Sequence, residues 1–96
     1  TKRKKLKPET KMLIKVLAAE VALNSATNVS NATVVRVYNG HSAVVVITRS
    51  DSSDNTIGSL TVGVGETVVL EKEPTDKLVA SAGGTSVKGV KVAFRN

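Results

Sequence analysis

From residue 32 onward the apolar residues come in short runs, mostly of valine, and each run is closed by Gly, Pro, Asn, Asp or Ser. No other feature restricts the fold so strongly. A β-branched side chain is stiff about its first torsion and packs well on a pleated surface, so valine favours strands over helices. Turn signals recur every ~8–12 residues, the spacing of a β-sandwich or small barrel. The expected fold is all-β: a single small antiparallel β-sandwich or barrel of about six or seven strands, carrying an extended basic N-terminal arm.

Ala32 to Tyr38 reads as a strand, with Val35 and Val37 on one face and Val34, Arg36 and Tyr38 on the other. Asn39-Gly40 follows, the dipeptide that best tolerates positive φ at both centres of a type I′ hairpin turn. Ser42 to Arg49 is then the return strand, and the unbroken apolar run Val44 to Ile47 predicts cover on both of its faces. Ser50 to Asn55 is an exposed loop. Thr56 to Val64, Thr67 to Leu70, Lys77 to Ala82 and Ser86 to Arg95 are further strands. Gly63 and Gly65 frame one turn, Gly83-Gly84 makes another, and Pro74 marks a strand end because it cannot donate to a ladder. Before them, Met12 to Ala19 reads as a short strand, although periodicity does not separate it from a short helix. Asn24 to Asn31 is a polar loop.

A chain of 96 residues suffices for one domain. With one Tyr, one Phe and no Trp, its small core is built from aliphatic side chains. The absence of cysteine removes disulfides and thiolate metal sites, leaving oligomerisation as one standard source of added stability for a small scaffold. No apolar run approaches the ~20 residues of a membrane-spanning helix. Pro8, Glu9, Thr10 and Lys11 interrupt any secretory apolar stretch after the basic start, so soluble intracellular production is expected.

The charge is localised. Residues 1–11 hold Lys2, Arg3, Lys4, Lys5, Lys7 and Lys11 against Glu9 alone, a net +5, whereas residues 12–96 hold eight basic and seven acidic residues, a net +1. This division sets the expected organisation: a basic arm at 1–11 and a β-sandwich domain at 12–96. The arm has one large apolar residue, Leu6, and Pro8 blocks a helix through it. Its six cations are the expected partner-binding residues, toward an acidic protein surface or nucleic acid, and either contact would weaken with salt.

The residues carry no constellation for catalysis. His41 is the single histidine and falls in a turn, without an activated serine or a second histidine for a metal pair. Asp51, Ser53, Asp54 and Asn55 lack the offsets, central glycine and terminal glutamate of a calcium loop. Gly63-Val64-Gly65 does not open a helix, so it is no phosphate cradle. Glu66, Glu71 and Glu73, with Lys72 among them, read as surface ion pairs. Asn28-Val29-Ser30 and Asn31-Ala32-Thr33 match glycosylation acceptors but carry little weight without a secretion signal. The expectation is a protein that is not an enzyme and uses no cofactor and no metal.

Five segments in order carry a resemblance: Val34-Val35-Arg36-Val37-Tyr38-Asn39, Ser50-Asp51-Ser52-Ser53, Thr56-Ile57-Gly58-Ser59, Val69 to Ala80 and Gly89 to Asn96. Together they resemble small virion-associated structural proteins of tailed marine bacteriophages of the cyanophage type. The resemblance covers roughly residues 32–96, with Glu71-Lys72-Glu73-Pro74-Thr75-Asp76 its most particular segment, and the basic start lies outside it. It implies a virion structural protein, made in the host cytoplasm and placed in the virion. Capsid decoration (cement) is the expected role, with the major capsid protein or other virion proteins as partners and homo-oligomeric or lattice-bound copies. A neck, tail or fibre-adaptor component is the alternative, and nucleic-acid binding through the arm a second one. Against the latter, stacking aromatics are confined to Tyr38 and Phe94.

Overall fold

The computed structural model describes residues 13–95. The expected arm, with Lys2, Arg3, Lys4, Lys5, Lys7 and Lys11, lies outside the described residues. Eight strands follow in order: β1 Leu13–Val16, β2 Val21–Ala22, β3 Val34–Asn39, β4 Val45–Ser50, β5 Thr56–Val62, β6 Thr67–Glu71, β7 Lys77–Ala80 and β8 Val87–Arg95, with a single 3₁₀ turn at Gly84–Ser86. All pairings are antiparallel. The larger sheet runs β1-β8-β3-β6, with β2 also on β8; the smaller runs β5-β4-β7. The all-β expectation holds, with the two-residue β2 added to the strands expected.

The two sheets share one core. Val35, Val37 and Val87 of the larger sheet pack with Val45, Ile47, Val62 and Leu78 of the smaller, and Leu23, Val29 and Ala32 of the connecting segment complete it. Each Val, Leu or Ile side chain contributes roughly 1.5–3 kcal/mol when fully buried, so a core without large aromatics depends on many valines. Alternation along β3 follows the sequence: Val35 and Val37 are buried, while Arg36 is half-buried and Tyr38 exposed.

The Asn39-Gly40 hairpin does not form. β3 pairs with β6 and β8, β4 pairs with β5 and β7, and the connection between them crosses from one sheet to the other. Neither Asn39 nor Gly40 has a positive φ. Asn39 is instead wholly buried and works as a polar staple at the corner. Its Nδ2 donates to the carbonyls of Ala43 (3.0 Å), Val62 (3.1 Å) and Gly63 (3.1 Å), and its Oδ1 accepts from the His41 amide at 2.8 Å. Gly40 is required for close approach: a Cβ there would lie 2.7 Å from the Ser86 carbonyl oxygen.

The double cover expected over Val44 to Ile47 is also absent. Val45 and Ile47 face the core, whereas Val44 is 60% exposed and Val46 faces outward. No third layer lies over the smaller sheet among the described residues, so period-2 alternation wins over the apolar run.

One side of the sandwich is laced shut. The Ala80 amide donates to the Leu23 carbonyl at 2.8 Å, and Thr27 and Leu78 exchange backbone bonds at 3.1 and 2.8 Å. A left-handed turn follows the lacing. Val29, Ser30 and Asn31 take φ of 53°, 59° and 57°, costly for residues with a Cβ. The turn is held by Ala32 N donating to the Asn28 and Val29 carbonyls, and by Asn28 and Asn31 bonded side chain to side chain at 3.0 Å. It delivers Val29 and Ala32 into the core.

Candidate assembly surface

β8 is longer than the strand it flanks. Its pairing with β3 ends at Lys91↔Val35, while β1 continues along it through Val16↔Val92 and Ile14↔Phe94 to Leu13↔Arg95. This end of the sheet is therefore a two-stranded ribbon. Such a ribbon is marginal in water unless something covers it. Every residue of β1 is exposed, Val16 at 67% and Ile14 at 46%, and Phe94 at 40% lies beside them on the same face.

Register defines that face. Val35 and Val37 point into the core and pair with Lys91 and Gly89. The alternate positions, Val90, Val92 and Phe94 on β8 with Ile14 and Val16 on β1, therefore point outward. Arg36 and Tyr38 of β3 and Val69 of β6 share this outer face. Between Val16↔Val92 and Val21↔Gly89, residues 17–20 oppose only residues 90 and 91. The excess bulges over the outer face, where the Glu20 carboxylate lies 3.9 Å from the Arg36 guanidinium, and Val90 and Val92 beneath are almost fully buried. What stays open is an apolar strip of Ile14, Val16, Leu17 and Phe94, with Lys15 on the same strand and the basic segment 1–11 directly before it in sequence.

Sequence reasoning placed the partner contacts on Lys2 to Lys11 and missed this strip. Its signal was present: Leu13, Ile14, Val16 and Leu17 sit together beside the charge cluster. An apolar run reads as buried unless the missing cover is known.

A second cluster occupies the particular segment 71–76. Glu73 to Asp76 is a tight turn with Pro74 at its second position, closed by Asp76 N donating to the Glu73 carbonyl at 3.0 Å. One Asp76 oxygen, Oδ2, accepts from Arg49 Nε (2.8 Å), Arg49 Nη2 (2.6 Å) and the Glu73 amide (3.1 Å). The Arg49 hydrogen bond is the main reason the Asp76 carboxyl is held below its usual range, against the opposing pull of burial. Lys72 is buried, and its ammonium donates to the carbonyls of Ala32 (2.7 Å), Glu73 (3.2 Å) and Pro74 (3.4 Å). Burial pushes its pKa down, Asp76 opposes that, and Arg49 adds to it. The particular segment thus carries turn and anchor residues.

The expected ion pairing of Glu66, Glu71 and Glu73 with Lys72 is corrected. Ion pairs among the described residues are Arg36–Glu20, Arg49–Asp76 and Lys77–Asp54. Lys72 turns inward to carbonyls because its short distance to them offsets the loss of water, and Glu66 caps its own turn by accepting from the Gly63 amide at 2.6 Å. Asp51 likewise folds onto its loop, accepting from the Asn55 and Ser53 amides at 2.9 Å; the Asn55 backbone bond is the first cause of its lowered pKa. Among the described residues no group of three or more His, Cys, Asp or Glu side chains is arranged to hold a metal ion. His41 is partly buried at the Asn39 corner.

Comparison with protein-family models, with curated proteins and with solved structures finds no match.

Proposed function

We propose that this protein is a structural component of a phage virion, a capsid decoration protein that binds the shell through its β domain and its basic segment. The observation that carries the reading is the ribbon: two strands, apolar and exposed, the first of which directly follows six of the chain's cations in sequence. Apolar contact supplies affinity, and the lysines supply steering toward an acidic surface. Repetition on a lattice multiplies weak contacts through effective concentration. The resemblance over residues 32–96 supports a virion as the setting.

Cryo-electron microscopy of the virion that carries this chain tests the reading. Many copies seated on the shell, with Ile14, Val16 and Phe94 against capsid protein, are the expected result. Copies restricted to the neck or tail would replace decoration with an adaptor role. A protein absent from the particle that retains duplex DNA at low salt through residues 1–11 would replace both with nucleic-acid binding.

A further inference from the structure

The sandwich is laced on its β7 side and open on the other. β5 ends the smaller sheet and β6 ends the larger, the two joined by the Gly63–Glu66 turn, so both edges, unpaired among the described residues, lie on the same side. Between them is an apolar cleft of about 200 Å³, with buried Ile47 and Leu78 at its base and Ile57, Leu60 and Leu70 along its walls. It exists because of Gly58. That residue pairs with Arg49 on the core-facing row of β5, and a Cβ there would meet nothing within 4 Å.

We propose that this cleft takes the basic segment of a second copy of this chain, with Leu6 entering the cleft and the neighbouring lysines meeting Glu71 and Glu73. The proposal goes beyond the virion reading and stands without it. Four observations lead to it. A cavity of ~150 Å³ accepts one small apolar group, and Leu6 is the single large apolar side chain of residues 1–11. Glu71 lines the cleft and Glu73 the adjoining polar recess, neither in an ion pair among the described residues. The cations nearby are already committed, Arg49 to Asp76 and Lys72 to three carbonyls, so the mouth presents carboxylates to a segment of net +5. Pro8 biases Lys7 to extended backbone, the form that adds to a free strand edge.

The occupant is a neighbour's segment because of where β1 lies. It occupies the edge of the larger sheet opposite β6, three strand spacings or ~14 Å away. Toward its N-terminal end it runs past the last β3–β8 pair, out of the body. Entering its own cleft demands a reversal and a crossing of the sheet, while a neighbour's demands neither. The contact is heterologous, so copies join head to tail into a ring or an open chain.

The cysteine-free sequence allows a direct test. Leu6→Cys and Gly58→Cys variants of the full chain are mixed, oxidised at low salt and separated without reductant. A Leu6–Gly58 covalent dimer is expected, at least ~10-fold above a control pairing Leu6→Cys with Thr61→Cys, and lost in molar salt. Sedimentation at the same concentrations should show assembly of the full chain and its loss on deleting residues 1–11, in Glu71→Lys/Glu73→Lys and in Gly58→Leu. A bond formed only within one molecule of the Leu6→Cys/Gly58→Cys double variant, a crosslink no stronger than the control, or assembly unaffected by Glu71→Lys/Glu73→Lys would each overturn the proposal.

Discussion

The side-chain amide of Asn39 donates to the carbonyl of Val62 at 3.1 Å, joining the end of β3 in one sheet to the end of β5 in the other. The same nitrogen reaches Ala43 and Gly63, and the side-chain oxygen accepts from His41. Asn39→Asp keeps the shape but replaces the donor with an acceptor against three carbonyls. It is expected to cost about 3 kcal/mol, the scale of a buried polar group left unsatisfied. Equilibrium urea unfolding measures this, and an Asp variant as stable as the parent would remove the staple from the account.

Two groups in the 71–76 segment give stability opposite windows of pH. Arg49 holds the folded Asp76 carboxyl below its ordinary 3.8, so its contribution is present above that value and lost as pH falls through the lower folded value. Burial holds Lys72 below its ordinary 10.5. While it stays protonated in both states the burial penalty is in force. As pH rises toward 10.5 the folded state releases the proton first, the unfolded state binds more, and stability rises. Relative to the parent, Asp76→Asn should flatten the acid limb of a stability–pH curve and Lys72→Met the alkaline rise. Curves parallel to the parent's would contradict both assignments.

The left-handed turn at Val29-Ser30-Asn31 separates backbone strain from packing. Ser30 is exposed, with φ 59°. Ser30→Gly is expected to stabilise by about 0.5 kcal/mol, the relief of a left-handed residue less the entropy of glycine. Val29 shares the backbone but is fully buried. Val29→Gly should destabilise by about 2 kcal/mol through the lost side chain. Denaturation midpoints moving in the same direction for both would contradict the division.

Exposure of the ribbon separates folding from docking. Val16→Lys places a charge at a site that is 67% exposed and should change stability by no more than ~0.5 kcal/mol. Under the proposed function the same variant should lower affinity for the virion shell by ~10-fold or more. Circular dichroism and thermal melting check the first, co-sedimentation with shells the second. Undiminished binding would move the contact off the ribbon.

Much of the fold was legible in the residues. Val35 and Val37 against Arg36 and Tyr38 gave the core face of β3, Gly63 with Gly65 and Gly83-Gly84 marked real turns, and Pro74 follows the end of β6. The partners of each strand were not legible. Asn39-Gly40 carries the same local signal whether the next strand returns beside β3 or crosses to another sheet; in the fold the Asn39 amide is taken up by the carbonyls of Val62 and Gly63, more than twenty residues away. The candidate surface was half legible: the charge cluster could be read directly, the exposure of Ile14 and Val16 could not.

What the sequence determined alone are properties carried by each residue and its near neighbours: β-branched alternation, turn chemistry, the absence of thiols, and +5 of the net +6 charge within eleven residues. What only the tertiary structure decided are properties of absent or distant neighbours. β8 outruns β3, and among the described residues the apolar strand β1 lies exposed. Among the described residues β5 and β6 end their sheets without a partner, and a cleft opens over Gly58. Burial and edge pairing depend on which strands end beside one another, and no local pattern encodes that.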